Sequence, residues 1–139
     1  CIMHMQGTPE DMQDNPSYQD VVDDVRASLS KAFCALTDLR VDPSMVIADP
    51  GIGFGKSFKD NFKLINQIDQ FCEIGYPILI GTSRKQFIGD ALNAEVTNRL
   101  EGTAATVAAA VLGGARIVRV HDVKEIKKVV KITDLIREA

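Results

Sequence analysis

The residues best suited to chemistry in this sequence follow an apolar run near the middle of the chain. Asp49 directly follows the run 45–48, and Gly51, Gly53 and Gly55 come next, ahead of an amphipathic helix pattern. A carboxylate at the end of a buried strand, beside a backbone that can turn sharply and approach a ligand closely, is typical of a binding site. The glycine spacing matches neither a dinucleotide fingerprint nor a P-loop, so this segment alone leaves a binding loop and a plain tight connection about equally open.

Three other apolar runs end in residues that can bind a ligand. The segments at the ends of these runs are Met3–Met5, Ser83–Lys85 and Arg119–His121. The order strand then helix, repeated four times with apolar strands, predicts a parallel sheet covered by helices. Ligands bind such sheets at the carboxyl ends of the strands, so we expect these three segments and Asp49 to meet at one site.

The helices that must position these strand ends are predicted from apolar residues at three- and four-residue steps. Asn15 is predicted as the N-cap of the first helix, with Pro16 at its first position, and Asp122 is predicted to cap the last. We predict a left-handed helix end at Gly75. The predicted strands are 1–5, 45–48, 77–81 and 116–120, and the predicted helices are 16–39, 62–72, 100–112 and 123 onward, the last with a buried stripe of Ile126, Val129, Val130, Thr133 and Ile136.

Composition narrows the class of protein. The chain has 139 residues, of which 45% are hydrophobic and 25% charged, as expected for one globular domain. A net charge of −3 argues against a nucleic-acid binder, and no apolar run approaches the ~20 residues of a membrane span. No signal-peptide pattern opens the sequence, so a cytoplasmic location is expected. Cys1, Cys34 and Cys72 are predicted to be reduced packing residues.

Taken together, the motifs resemble the dihydropteroate synthases, folate-pathway enzymes with the pterin-binding (β/α)8 barrel. The matching segments, in the family's order, are Met3–Gly7, Asp49–Lys56, Gly81–Lys85, Arg99 with Gly102 and Thr103, and Arg119–Asp122. A barrel of this type has eight strands and typically ~250 residues, and these motifs resemble those of strands five to eight. The resemblance implies that residues 1–139 are a single partial domain of α/β class, the C-terminal half, with four βα units, of a TIM barrel.

The resemblance also implies an activity and a pterin site. Members of the family join para-aminobenzoate to dihydropterin-hydroxymethyl diphosphate and release diphosphate. Asp49, Lys85 and Met3 match the pterin contacts, because a carboxylate can accept hydrogen bonds from the ring N–H and amine while a lysine donates to the ring carbonyl. Without the resemblance, Asp49 would be interpreted as a helix cap and Lys85 as a surface lysine.

The remaining assignments concern the other two parts of the substrates. Ser83 and Phe54 match the aminobenzoate side, while Arg119 and His121 match the diphosphate side, since residues two apart on a strand share a face. Mg²⁺ is the expected cofactor, with its protein contact supplied by first-half elements that have no counterpart here. No residue is assigned as catalytic. Loop shape is assigned to Gly51, Gly53, Gly55 and Gly81.

Several motif residues have no assigned chemistry. Lys56, Gln6 and Arg99 match the family, but the sequence suggests no role for them. His4 is expected to be structural. Arg84 could equally face solvent, make a structural ion pair or contact a ligand, and it is assigned no catalytic role.

Two other functions remain open. A pterin-dependent methyltransferase with a corrinoid partner shares the fold, but methyl transfer expels no diphosphate, so the segments Gly81–Lys85 and Arg119–His121 favour a synthase. The third possibility is a non-catalytic half-barrel interaction module. The resemblance further implies small-molecule substrates, a homodimer formed through late helices, membership of an enzyme class that sulfonamides target, and neither nucleic-acid nor membrane partners.

Overall fold

Four short strands, each followed by at least one helix, make up the computed structural model, which describes all of residues 1–139. This confirms the predicted repeat of four βα units. The strands are β1 Ile2–Met3, β2 Ala48–Asp49, β3 Leu79–Ile80 and β4 Ile117–Val118. The helices are α1 Val21–Asp38, α2 Phe58–Asn66, α3 Ile68–Cys72, α4 Gln86–Leu92, α5 Leu100–Leu112 and α6 Val123–Glu138, with 3-10 turns at Pro43–Met45 and Val96–Asn98.

The strands are parallel and lie side by side in chain order. β1 pairs with β2, placing Met3 opposite Asp49, and β3 pairs with β4. A single bridge between Ala48 and Ile78 joins β2 to β3. The carboxyl ends of all four strands therefore meet along one edge, as the repeat predicts.

Most of the core lies between the sheet and the first three helices. Eighteen buried residues form one apolar cluster that includes Val25, Leu29, Leu64 and Phe71. Burying each such side chain stabilises the fold by about 1.5–3 kcal/mol, so this cluster holds the strands in place. A smaller cluster, Val107, Val111 and Ile126, joins α5 to α6.

The predicted start of the first helix is wrong. α1 begins at Val21, and its N-cap is Asp20, whose carboxylate accepts hydrogen bonds from the backbone N–H of Val22 at 2.9 Å and of Asp23 at 3.4 Å. Asn15 instead adopts a left-handed conformation, with φ of 57°, inside the loop that precedes the helix. The apolar periodicity begins only after Asp20, so a cap at Asn15 has no helix to support.

Other predicted boundaries also differ. Met45 lies in a 3-10 turn and is 77% exposed, so the second strand begins later than predicted. The second helix begins at Phe58 behind a capping box formed by Ser57 and Asp60, and it breaks at Gln67. The seven-residue α4 was not predicted, because its apolar stretch is too short for a clear helical period.

Several predicted buried positions are exposed. Ile136 is 62% exposed on α6, although Ile126 and Thr133 of the same stripe are buried. Cys1 and Cys34 are exposed, so the prediction that they pack is wrong, whereas Cys72 is half-buried. All three cysteines are free thiols. Gly75 does adopt the predicted left-handed conformation, with φ of 88°.

Gly51 and Gly75 form a matched pair for testing the turn after β2. Both have positive φ, but a Cβ at Gly51 would lie 1.8 Å from the His4 carbonyl oxygen, whereas at Gly75 it would meet nothing within 4 Å. We expect Gly51→Ala to lower the free energy of unfolding by about 2–5 kcal/mol, combining left-handed strain with overpacking. Gly75→Ala should cost only the strain, about 1–2 kcal/mol. Urea unfolding measures both, and equal losses would contradict the close approach.

Candidate active site

Asp49, the last residue of β2, lies at the centre of the strand-end edge. Its side chain is almost fully buried, and Oδ1 accepts a hydrogen bond from the Gly51 N–H at 2.7 Å. Oδ2 is buried and accepts no hydrogen bond. The nearest cation, Arg119, has a terminal nitrogen 3.5 Å from Oδ2, which is an ion-pair distance without hydrogen-bond alignment.

The electrostatics of Asp49 follow from that burial. Loss of water raises the pKa of the Asp49 carboxyl, and this effect exceeds the opposing influence of the Gly51 N–H and the cations Arg119, Lys85 and Lys56. A buried oxygen without a donor costs free energy that a donating ligand would recover. The arrangement therefore suits a ligand that presents N–H groups.

The glycine loop, residues 51–55, lies just after Asp49 and is held by one side chain from α2 and two from the loop before α1. The amide oxygen of Asn61 accepts from the Gly53 N–H at 2.6 Å, and Gln13 donates to the Gly53 carbonyl at 2.8 Å. The Tyr18 hydroxyl donates to the Gly55 carbonyl at 2.5 Å. These contacts fix the loop although glycine itself imposes little on the backbone.

Lys85 crosses from the end of β3 to the glycine loop. Its Nζ donates to the Ile52 carbonyl and lies 4.1 Å from the centroid of the Phe54 ring. The pKa of Lys85 is lowered to about 8, chiefly because the amine is buried; the charge of Asp49 opposes this shift and the charge of Arg119 adds to it. Lys85 is thus a partly desolvated amine close to Asp49.

Two cavities open at this edge, and Lys85 lines both of them. The larger cavity, of about 620 Å³, lies between α2 and α4 and is walled by Phe54. The smaller cavity, of about 310 Å³, is lined by Gly81, Ser83, Lys85, Arg119, Val120 and His121. Arg119 and His121 therefore share one cavity, as the sequence predicts for residues two apart on a strand.

Ser83 and His121 are in direct contact in the smaller cavity. The Ser83 hydroxyl oxygen accepts from the His121 backbone N–H at 3.1 Å and lies 2.9 Å from the ring Nδ1. Ser83 and Phe54, which the sequence assigns together to the aminobenzoate side, line different cavities. Met3 is half-buried opposite Asp49 and lines neither cavity.

The buried Lys56, to which the sequence assigns no role, contacts the half-buried His4, which is predicted to be structural. Lys56 is only 3% exposed, and its Nζ donates to the Phe54 carbonyl at 2.8 Å and contacts His4 Nδ1 at 3.0 Å. Burial lowers the pKa of Lys56 to about 7. Burial, followed by the charge of Lys56, lowers the pKa of His4 to about 4. The pair joins the end of β1 to the glycine loop. This role can be recognised only in the structure, where the two residues lie together.

The residues do not form a metal site by themselves. No group of three or more His, Cys, Asp or Glu side chains is placed to hold a metal ion within residues 1–139. Asp49, the nearest buried carboxylate to the cavities, already faces Arg119. The expectation of Mg²⁺ therefore stays a prediction.

The parallel strands, the strand-end site and the buried aspartate define the class of protein. A profile of the pterin binding enzyme family matches residues 1–121, and the chain belongs to this family. The chain is 46% identical over 132 residues to dihydropteroate synthase of Haemophilus influenzae, and 41% over 137 residues to that of Clostridium beijerinckii. These matches cover 95% and 98% of this chain but 48% of each relative.

Solved structures give the same result. A Yersinia pestis dihydropteroate synthase with a sulfonamide drug complex superposes with a TM-score of 0.95 at 34% identity, over 99% of this chain and 50% of that one. The Thermus thermophilus enzyme in complex with 4-aminobenzoate gives 0.87 at 34% identity, over 96% and 55%. The chain thus spans about half the length of its relatives. It forms part of a TIM barrel, which confirms the predicted fold class.

The lowered pKa of His4 predicts an acid sensitivity. Between pH 6.5 and 4 His4 is protonated in the unfolded chain but not in the folded chain. The free energy of unfolding should therefore decrease as the pH is lowered from 6.5 to 4. After allowance for partial solvent screening we expect a loss of about 1–2 kcal/mol, which His4→Gln should remove. Urea unfolding across this range measures the loss.

The change of the second histidine is the matched control for this experiment. His121→Gln removes an imidazole without touching the contact between His4 and Lys56. If the parent and His4→Gln lose stability in parallel between pH 6.5 and 4, His4 is not the group responsible.

Proposed function

We propose that the protein carrying this chain is a dihydropteroate synthase, which joins para-aminobenzoate to dihydropterin-hydroxymethyl diphosphate. The observation that carries the proposal is the buried Asp49 oxygen without a donor, set among Arg119 and Lys85 at a strand-end edge. The names and bound ligands of the relatives support it, since they are dihydropteroate synthases, one of them solved with 4-aminobenzoate.

Asp49 and Lys85 suit the pterin ring. The ring presents an amide N–H beside an exocyclic amine, and Asp49 has a free oxygen able to accept from such donors. Lys85 is an amine that can donate to the ring carbonyl. Met3 belongs to the same assignment as an apolar neighbour opposite Asp49.

The reaction displaces diphosphate from the methylene carbon of the pterin. The aminobenzoate nitrogen forms the new bond to that carbon, the carbon–oxygen bond breaks, and diphosphate leaves with the electron pair. The nitrogen then loses its extra proton to solvent. Arg119 and His121 hold the departing oxygens, because both can donate charge-assisted hydrogen bonds and both line the smaller cavity.

The aminobenzoate side is proposed at the junction of the cavities. Phe54 supplies an aromatic wall in the larger cavity, and Ser83 supplies a hydroxyl in the smaller one. Lys85 lies between them and lines both. An aromatic amine that spans this junction would have its ring against Phe54 and its nitrogen toward the methylene carbon.

Three further expectations belong to the same proposal. Mg²⁺ would accompany the diphosphate, with no residue of this chain assigned to it. A homodimer is supported by the small, exposed Ala105 and Ala109 on α5, a surface that a second helix can approach closely. A cytoplasmic location fits a fold in which no helix is both long enough and apolar enough to span a membrane.

The pairing of Arg119 with His121 favours the synthase over the alternatives. A methyl transfer from a pterin to a corrinoid partner has no anionic leaving group for these two residues to hold. A non-catalytic module would have no need for a buried carboxylate oxygen without a donor, because such a group costs stability.

Asp49→Asn tests the pterin contact. We expect it to weaken the binding of a dihydropterin by about 1.5–3 kcal/mol, the range for a charge-assisted hydrogen bond, because the amide presents a donor where the ring also donates. Calorimetry on the native protein measures the change. Asp134→Asn, which changes the carboxylate that pairs with Arg137 on α6, is the control. Unchanged affinity would assign Asp49 to backbone capping alone.

Arg119→Ala and Lys85→Ala separate the diphosphate from the ring. Arg119→Ala should reduce the affinity for the diphosphate ester about tenfold or more and change that for free hydroxymethyl dihydropterin much less, since Arg119 is proposed to hold phosphate oxygens. Lys85→Ala should weaken both ligands alike, because its proposed partner is the ring. Calorimetry with both ligands decides the point, and equal losses for Arg119→Ala would exclude a diphosphate role.

A further inference from the structure

The loop that carries Ser83 and Lys85 is fastened to the start of α6 by a bidentate ion pair. Arg84 Nε donates to one oxygen of Asp122 at 3.1 Å, and a terminal nitrogen of Arg84 donates to the other at 2.6 Å. Asp122 occupies the N-cap position of α6, yet its side chain makes no capping hydrogen bond. Its carboxylate accepts hydrogen bonds from Arg84 instead. Asp122 is therefore at the predicted N-cap position, but its side chain does not make the predicted capping hydrogen bond.

Arg84 has an unusual backbone that the neighbouring residues hold in place. Its φ is 59°, the left-handed region that a non-glycine residue seldom adopts outside special sites. The Arg84 N–H donates to the Thr103 hydroxyl at 3.2 Å, and Arg99 donates to the Arg84 carbonyl at 3.0 Å. Arg99 is only 8% exposed and also donates to the Ala94 carbonyl at 3.1 Å.

With Arg84 in this left-handed conformation, the residues on either side of it contact different partners. Ser83 contacts His121 in the smaller cavity, while Lys85 reaches the Ile52 carbonyl in the glycine loop. His121 directly precedes Asp122, so the ion pair joins the loop after β3 to the loop after β4 at the point where Ser83 meets His121.

We propose that Arg84, Asp122 and Arg99 are positioning residues, which set the Ser83 hydroxyl against His121 and direct Lys85 toward the glycine loop. None of the three lines the smaller cavity, so they act through Ser83, His121 and Lys85. Their relevance to catalysis rests on the proposed function. The contact between Ser83 and His121 does not rest on the proposed function, because it can be observed without any ligand.

The first experiment reads the geometry directly. The ring nitrogen signals of His121 are measured by NMR in the native protein and in Arg84→Ala, Arg84→Lys and Asp122→Asn. We expect Arg84→Ala and Asp122→Asn to shift the His121 Nδ1 signal, and Arg84→Lys to restore it only in part, because a lysine cannot make the bidentate contact. Arg137→Ala, which breaks the ion pair with Asp134 on α6, is the matched control and should leave the signal unchanged.

The second experiment reads the consequence for the proposed reaction. We expect Arg84→Ala to lower kcat/KM about ten- to a hundredfold, the effect of a misplacement near 1 Å, with the thermal midpoint close to that of the parent. The double variant that combines Arg84→Ala with Asp122→Ala should show no larger loss of kcat/KM than either single substitution, since each removes the same contact.

The outcomes separate the two proposals. An unshifted His121 signal in both Arg84→Ala and Asp122→Asn would overturn the positioning role, whatever the activity. If the His121 signal shifts in the variants but the native protein itself has no synthase activity, the positioning role is supported and the proposed function is rejected. Equal effects of Arg84→Ala and Arg137→Ala on both the signal and the thermal midpoint would mean general destabilisation and would also overturn it.

Discussion

The burial of the Asp49 carboxylate is the constraint on which the rest of the site depends. A carboxylate removed from water must be compensated, and a single backbone N–H cannot do so for two oxygens. Three cations therefore act on it: Arg119 directly after β4, Lys85 in the loop after β3, and Lys56 directly after the glycine loop. Each comes from a different βα unit or loop, so the parallel register is needed to bring them together.

The same arrangement gives the edge an excess of positive charge. Against one carboxylate with a raised pKa stand two lysines with lowered pKa values and one arginine. Neutralisation of either lysine reduces the repulsion among the cations, and an anionic ligand would favour their charged forms instead. A site of this kind attracts anions even though the chain as a whole has a net charge of −3.

The sequence predicts the elements better than it predicts their ends. The long helices α1 and α5 and the four strand ends were recognisable because their apolar residues recur at regular steps and chemistry-bearing residues follow the strands. The start of α1, the existence of α4 and the exposure of Cys34 were not, because these depend on local competition between caps and on which surface finally packs. The roles of Lys56 and Arg99 could not be predicted either, since their partners His4 and Arg84 lie far away or contribute only backbone atoms.

The ion pair between Arg84 and Asp122 shows why an interaction can matter for a site and little for stability. The Arg84 side chain is 39% exposed and that of Asp122 21%, and ion pairs near water contribute little to stability. A left-handed non-glycine residue costs about 1–3 kcal/mol, so the pair alone does not offset the strain that it helps to hold. The partly buried hydrogen bonds from Arg99 to the Arg84 carbonyl and from the Arg84 N–H to Thr103 are needed as well. The strain at Arg84 lies in the one loop that lines both cavities, and its benefit is the placement of Ser83 and Lys85. A displacement of about one ångström changes a reaction rate far more than one exposed ion pair changes the free energy of folding.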